Sequence, residues 1–544
     1  MSDQSGTASS VDAVIVGAGF SGLYLMRRCL AAGFSVRCFE RGDGVGGTWY
    51  WNRYPGARCD VESMEYSFGF DEALQQEWDW PEKYSAQPDI LAYANHVADR
   101  FDLKRHIDFE TEVKAARYDA GARRWRVETN RGERVTARFV VMATGCISTA
   151  QIPKIDGLES FGGKVYHTGA WPHEPVGFDG QRVAVIGTGS SGIQVIPQIA
   201  KQAGHLTVFQ RTANFSVPSR NVPMTEDYAR AWKDGYAEKR EEMRRSPQGN
   251  MRIRSDKSAL EVSEAERQAV YEERWRAGGS GFLAAFNDIL TNQAANDTMA
   301  EFVRGKIREI VKDPETAELL SPRSHPIGTK RICVDTGYYE TFNRPNVELV
   351  DVSETPIERL TEDGLIVGGR RFQFDSIVFA TGFDAMTGAI FNVDIRGRDG
   401  LALKEKWHAG PRTYLGFMTE SFPNLFLITG PGSPSVKSNM IISIEQHVDM
   451  AVDAMIHMRA QGFDLIEPER SAEDAWVDHV QEVAHRTLFP QANSWYMGAN
   501  IPGKPRLFMP YIAGVGTYRE TCEAVVRDGY RGFHLDRAAA AAAE

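Results

Sequence analysis

Asp12-Ala13-Val14-Ile15-Val16-Gly17-Ala18-Gly19-Phe20-Ser21-Gly22 is an apolar run that breaks at a glycine cluster and continues as a helical pattern through Leu23, Leu25 and Leu30. The order reads as strand, tight turn and helix. Gly17 permits the turn, Gly19 lets backbone approach a pyrophosphate, and Gly22 allows close packing of helix on strand. The helix N-terminus adds free N–H donors and the positive end of its dipole. A second apolar run, Ser35 to Phe39, ends in Glu40. That is roughly twenty residues past the first glycines, where a carboxylate bonds the hydroxyls of an unphosphorylated ribose. These features predict a nucleotide-binding unit at the head of the chain.

The same order returns at Arg182-Val183-Ala184-Val185-Ile186, followed by Gly187-Thr188-Gly189-Ser190-Ser191-Gly192 and an apolar helical pattern to Ala200. The next strand, Leu206 to Phe209, ends in Gln210-Arg211-Thr212. A neutral amide replaces the carboxylate and an arginine stands beside it. This suits a 2′-phosphate, so the second site is predicted to take NADP rather than NAD. Phe139-Val140-Val141-Met142-Ala143-Thr144-Gly145 and Ser376-Ile377-Val378-Phe379-Ala380-Thr381-Gly382 are two more strands with the same Ala-Thr-Gly ending. The chain is therefore read as α/β, with two Rossmann-like dinucleotide-binding domains.

Between the two signatures lies Gly46-Gly47-Thr48-Trp49-Tyr50-Trp51-Asn52-Arg53-Tyr54-Pro55-Gly56, then Asp60. Its apolar rings with few polar groups suit an isoalloxazine pocket; an aromatic mini-core is the alternative. Further on, Phe161-Gly162-Gly163-Lys164-Val165-Tyr166-His167-Thr168-Gly169-Ala170-Trp171-Pro172 carries the pattern F-x-G-x-x-x-H-x-x-x-W-P, placed where two domains would be joined. This pattern resembles the fingerprint of the Baeyer–Villiger monooxygenases. The Gly46 to Asp60 stretch resembles a second signature of that family, and the paired Ala-Thr-Gly endings are similar to those of the wider flavoprotein monooxygenases.

The resemblance implies an enzyme that uses FAD, NADPH and dioxygen to turn ketones into esters or lactones through a C4a-peroxyflavin anion and a Criegee intermediate, and that also oxidises sulfides. An N- or S-oxygenating flavin monooxygenase is the nearest rival, although such enzymes usually lack the Trp171-Pro172 ending. A flavin disulfide reductase would need a redox cysteine pair, and the six cysteines here stand alone. The implied cofactor contacts are Gly17, Gly19, Gly22, Glu40, Gly47, Thr48, Trp49, Asp60, Tyr66, Gly187, Thr188, Gly189, Ser190, Gly192, Arg211, Thr212, Lys330, Arg331 and Trp495. Arg331, after Gly328-Thr329-Lys330, matches the family's active-site arginine, and Asp60 the aspartate that orients it. Read without the resemblance, Arg331 is a salt-bridged residue at a helix end. Lys330 joins Arg211 and Thr212 at the 2′-phosphate if adjacent residues point to opposite sides of a strand. Trp495 matches a mobile-loop tryptophan, while His167 and Trp171 take structural or hinge duty. The phenylacetone and steroid monooxygenase branch is the most similar. In that branch Cys146, Ile147, Ser435, Val436, Lys437 and Met440 line the substrate space. Lys437 departs from the apolar residue expected there; it either binds a polar group of the substrate or reaches out to water.

A chain of 544 residues exceeds one core. The expected division is a disordered leader at 1–10, FAD-binding parts at 11–150 and 384–535, NADP-binding parts at 151–222 and 326–383, a helical insertion at 223–325, and a tail at 536–544. Within the insertion, Ser263-x-x-Glu266 and Thr298-x-x-Glu301 read as helix starts, and the charge run from Glu238 to Arg245 as a solvated face. A net charge of −11 argues against nucleic-acid or anionic-membrane partners. The scattered cysteines exclude a zinc site and a disulfide framework. A cytoplasmic monomer acting on a small ketone is expected, with no metal.

Overall fold

Each glycine turn grows out of a strand inside a sheet, and alternate residues of that strand feed separate cores. In this computed structural model, which describes residues 9–537, Ser9–Val16 lies between Val36–Phe39 and Arg134–Met142, with Ala13 opposite both Val36 and Phe139. Ala13 and Ile15 enter one core, Val14 and Val16 another. A strand buried on both faces has to be apolar throughout, which is why this run does not alternate. The full sheet runs Asp394–Arg396, Val113–Asp119, Arg124–Thr129, Arg134–Met142, Ser9–Val16, Val36–Phe39 and Ile107–Asp108, and Leu425–Leu427 joins Arg134–Met142 in parallel.

The second sheet is wholly parallel, in the order Val347–Asp351, His205–Gln210, Arg182–Ile186, Ser376–Phe379 and Lys164–His167. Val183 and Val185 face one core, Ala184 and Ile186 another. The fingerprint stretch is thus more than a connection: its Lys164–His167 segment is the edge strand of this sheet, with His167 opposite Phe379. The last third of the chain returns to the first sheet. Asn439 accepts a hydrogen bond from the Ile441 N–H and starts Met440–Gln461, and left-handed Gly462 ends that helix. This helix packs on Phe20–Ala31, where the Tyr24 hydroxyl donates to Asp449 at 2.7 Å.

Ser216–Pro218 and Cys333–Asp335 pair in parallel, so the chain leaves and re-enters on adjacent strands. Between them run helices Glu226–Lys233, Tyr236–Arg245, Glu264–Ala277, Gln293–Ile310 and Pro314–Leu320, and no strand. Ser263 caps Glu264–Ala277 as expected, accepting from the Glu266 N–H. Thr298 does not start a helix. Asn292 is the cap, taking the Ala294 and Ala295 N–H groups, and Thr298 sits a turn and a half inside with its hydroxyl donating to the Ala295 carbonyl. The capping-box spacing misled because Glu301 pairs sideways with Arg304 and Arg308 rather than back to a cap. The charge run is likewise not wholly solvated: Arg240 is buried and donates to the Met64 and Glu65 carbonyls and the Ser67 hydroxyl, tying these helices to the first sheet's loops.

Ser9 and Ser10, expected in the leader, belong to the first strand, since their backbones pair with Val135 and Thr136. Residues 1–8 lie outside the described residues, as do 538–544 of the expected tail, whose first member, Asp536, pairs with Leu465. No helix among the described residues is long and apolar enough to cross a membrane. Asn292→Ala is expected to cost about 1 kcal/mol and to speed hydrogen exchange at Ala294 and Ala295, whereas Glu301→Gln leaves exchange at those two amides as it was.

Candidate active site

The two glycine turns solve one steric problem in the same way. Gly17 has φ of 104° and a Cβ there would stand 2.7 Å from the Ala143 carbonyl oxygen; Gly187 has φ of 109° and a Cβ would stand 2.5 Å from that of Ala380. The matching Ala-Thr-Gly strand ends therefore press directly on the turns. Both following helices begin at glycines, Gly19 and Gly189, without a side-chain cap or an acidic residue in the first turn. Their first N–H groups remain available to a phosphate. Around Gly189 there is open space, with nothing within 4 Å of a built Cβ.

Glu40 closes the first turn rather than simply projecting from it. Its two carboxylate oxygens accept the Ala18 and Gly42 N–H groups, each at 2.8 Å. Burial raises its pKa in spite of those bonds. The Gly46-Gly47 loop lies against this turn, with the Gly46 N–H donating to the Ala18 carbonyl, and it opens helix Thr48–Trp51. Trp49 is buried and its indole donates to the Tyr66 hydroxyl at 3.2 Å.

Beyond that helix the loop docks on the second unit. The Tyr54 hydroxyl donates to Gln194 at 2.7 Å, and the Gln194 amide donates to the Arg58 carbonyl at 3.0 Å. This carries Asp60 to Arg331. Arg331 Nε donates to Asp60 at 3.0 Å and Nη2 to both carboxylate oxygens at 2.7 Å, while Nη1 reaches the Val436 carbonyl at 3.2 Å. Asp60 raises the Arg331 pKa well above its ordinary value. Burial alone would raise the Asp60 carboxyl, but the charge and hydrogen bonds of Arg331 outweigh it and hold the group low. Protein crowds the pair, yet 36% of the Arg331 side chain stays accessible.

Arg331 is at no helix end and Lys330 on no strand: a turn through Ile327–Lys330 precedes strand Cys333–Asp335. The turn makes the two neighbours diverge. Burial and then the Arg211 charge lower the Lys330 pKa, and neither cation has a carboxylate partner among the described residues. The Thr188 hydroxyl donates to the Thr212 carbonyl beside them at 3.0 Å.

Val436 belongs to the short turn Ser435–Lys437, where Ser435 has φ of 37° and its hydroxyl accepts the Val436 N–H at 2.6 Å. Cys146, Ile147, Val436 and Met440 share one apolar cluster with Phe489, Tyr496 and Met497. Lys437 does not run out to water: its Nζ lies 4.2 Å from the Phe489 ring centroid and 4.7 Å from that of Tyr496. Trp495 stands half-buried at the head of the turn Trp495–Met497, its ring 4.3 Å from that of Tyr496. Sequence reasoning missed Tyr496, which is fully buried against Arg331, with its phenol pushed up to about 12 by burial while Arg331 pulls the other way. Its position next to Trp495 was the available signal.

Comparison with known proteins fits this geometry. The flavin-binding monooxygenase-like family matches residues 11–227. The chain is 42% identical over 532 residues to a Baeyer–Villiger monooxygenase of Pseudooceanicola batsensis, covering 97% of each. The chain belongs to the Baeyer–Villiger monooxygenases. A solved steroid monooxygenase bound to NADP superposes with a TM-score of 0.93 at 53% identity, over 97% of this chain and 100% of that one, in keeping with the branch suggested by the motifs. A phenazine N-monooxygenase of Lysobacter antibioticus is also 41% identical, over 96% of this chain and 97% of its own.

In this Baeyer–Villiger monooxygenase the fingerprint residues bind other protein groups. The Trp171 N–H donates to the Trp51 carbonyl, and its ring stacks on Tyr166 at 5.3 Å. His167 Nδ1 accepts the Gly169 N–H at 2.9 Å, so the ring proton is on Nε2, 3.3 Å from the Gln151 carbonyl. Burial lowers the imidazole pKa. The unfolded chain therefore takes up the proton first, and the contribution of neutral His167 is full above about pH 6.5 and lost as pH falls below it. The melting-temperature gap between the native protein and His167→Gln should be wider near pH 8 than near about pH 5.5.

Proposed function

We propose that this enzyme holds FAD at the Gly17 turn and NADPH at the Gly187 turn, and uses dioxygen to convert ketones into esters or lactones, with sulfides as further substrates. The uncapped helix starts and the pinned glycines fit two pyrophosphates. Arg211 and Lys330, two cations lacking an anion, fit the 2′-phosphate that distinguishes NADPH. Trp49, Tyr66 and the Gly46-Gly47 loop fit a flat, largely apolar ring system. Reduced by NADPH, FAD supplies the activation of dioxygen.

The observation that carries the reading is the Arg331–Asp60 pair at the edge of the apolar cluster. Attack at a ketone carbonyl gathers negative charge on oxygen, and a preorganised cation in a site shielded from water stabilises that charge. Arginine suits the task because it stays protonated at every working pH. Asp60 occupies Nε and Nη2 and so fixes the plane of the guanidinium, leaving Nη1, steadied by the Val436 carbonyl, on the side of the lining residues. Transfer of oxygen to an amine or sulfide develops no such carbonyl charge and does not require this arrangement. The names of related enzymes, which include cyclohexanone and cyclopentanone monooxygenases, support ketones as the substrate class.

With Arg331→Ala, NADPH should still bleach the yellow flavin, while ester formation falls by about 100-fold or more; undiminished ester formation would remove Arg331 from the chemistry, and surviving amine oxidation alone would favour the rival class. Arg211→Ala should lower kcat/KM for NADPH by roughly 10-fold or more, the size of a charge-assisted contact, and leave the value for NADH nearly as it was. Equal losses with the two coenzymes would place the phosphate elsewhere.

A further inference from the structure

Lys437 is the one charged residue among the expected lining residues, and its surroundings are unusual for a lysine. It ends the turn whose Val436 carbonyl holds Arg331 Nη1, so amine and guanidinium belong to one wall. Its Nζ is held over the faces of Phe489 and Tyr496, an attraction between cation and ring rather than an ion pair. No carboxylate or hydrogen-bond acceptor pairs with it among the described residues. Asp60, the carboxylate of the neighbouring ion pair, already spends both oxygens on Arg331. The wall therefore carries two cations against one anion, within a cluster of otherwise apolar side chains. Burial and the neighbouring Arg331 pull the amine down to about 7. A cation left unbalanced in such a place is costly, and an arriving anion relieves that cost.

The anion is not expected to come from the coenzyme's 2′-phosphate, which the function proposed above assigns to Arg211 and Lys330. Nor does the turn offer a phosphate cradle: the Val436 N–H is taken by the Ser435 hydroxyl and the Lys437 N–H by the Pro434 carbonyl. A lone ammonium with no backbone donors beside it suits a monoanion. Given that Arg331 marks the position of the reacting carbonyl, which rests on the function proposed above, we propose that this site prefers ketones bearing a carboxylate a few carbons from the carbonyl, with the Lys437 ammonium as the counter-ion. Lys437 is then a specificity residue, acting on which ketone binds rather than on oxygen transfer.

The test compares levulinate and its longer homologues with their methyl esters, using the FAD-loaded enzyme and NADPH. In the native enzyme the ratio of kcat/KM, keto acid over ester, should exceed about 10, and Lys437→Met should lower that ratio by about 10-fold or more, mainly through KM; Lys437→Arg should retain part of it. The KM for NADPH should stay within about 3-fold of the native value, a change smaller than one lost charge contact. A native ratio near one, an equal loss on acid and ester, or a rise in the KM for NADPH that matches the loss would each overturn the proposal. Neutral ketones turned over without any preference for the acids would sink this inference and leave the function standing. If no ketone were oxidised at all, that function would fail. Levulinate stabilising the native enzyme against heat more than Lys437→Met would then still support the anion site, and equal effects would reject it.

Discussion

The pairing of Arg331 with Asp60 is the constraint on which the arrangement depends. The two residues are 271 positions apart in the chain, and neither charge is stable where it lies without the other. Taking a charge out of most of its water costs several kcal/mol unless a partner and hydrogen bonds replace that water. Three separate pieces of chain must therefore arrive together. The loop carrying Asp60 docks on helix Ser190–Ile199 through Tyr54 and Gln194, the helical excursion returns on Cys333–Asp335 just after Arg331, and the turn at Val436 closes from the last third. Folding of the two nucleotide units is in this way coupled to assembly of the site between them.

The two units themselves are near-copies whose difference lies in charge. Each has a left-handed glycine under an Ala-Thr-Gly strand end and a helix whose first N–H groups are uncapped. At the end of the second strand they part. Glu40 is consumed by two backbone N–H groups and braces its own turn, whereas Gln210 donates its amide to the Leu319 carbonyl and the Arg211 that follows it is exposed. The backbone of the two turns is thus alike, and the exchange of Glu40 for Gln210 is what sets their charge apart.

Overall charge conceals this local pattern. The chain carries a net −11, yet Arg211, Lys330 and Lys437 stand without carboxylate partners among the described residues. Most surface cations here have an acid within reach, and such exposed pairs contribute little. Other cations among the described residues, Arg240 included, also lack an acid partner; these three are informative because they stand among the residues of the two candidate sites.

Both glycine signatures, the strands that carry them, the exchange of Glu40 for Gln210 and the family itself were legible in the sequence, because turn geometry, strand burial and phosphate binding are local demands that constrain neighbouring residue types. Local patterns also misled locally: Thr298-x-x-Glu301 had the spacing of a helix start, but Asn292 had already started that helix, and Arg240 in a charged run was taken into the interior by carbonyls of a distant loop. What only the tertiary structure decided were the relations between remote segments: that Arg331 meets Asp60 while Lys330 is left without an acid among the described residues, that Tyr496 lies on Arg331, and that Lys437 turns inward over two rings. A contact between residues hundreds of positions apart leaves no periodicity in the chain, and whether a lysine reaches solvent or ring faces depends on what the rest of the fold sets around it.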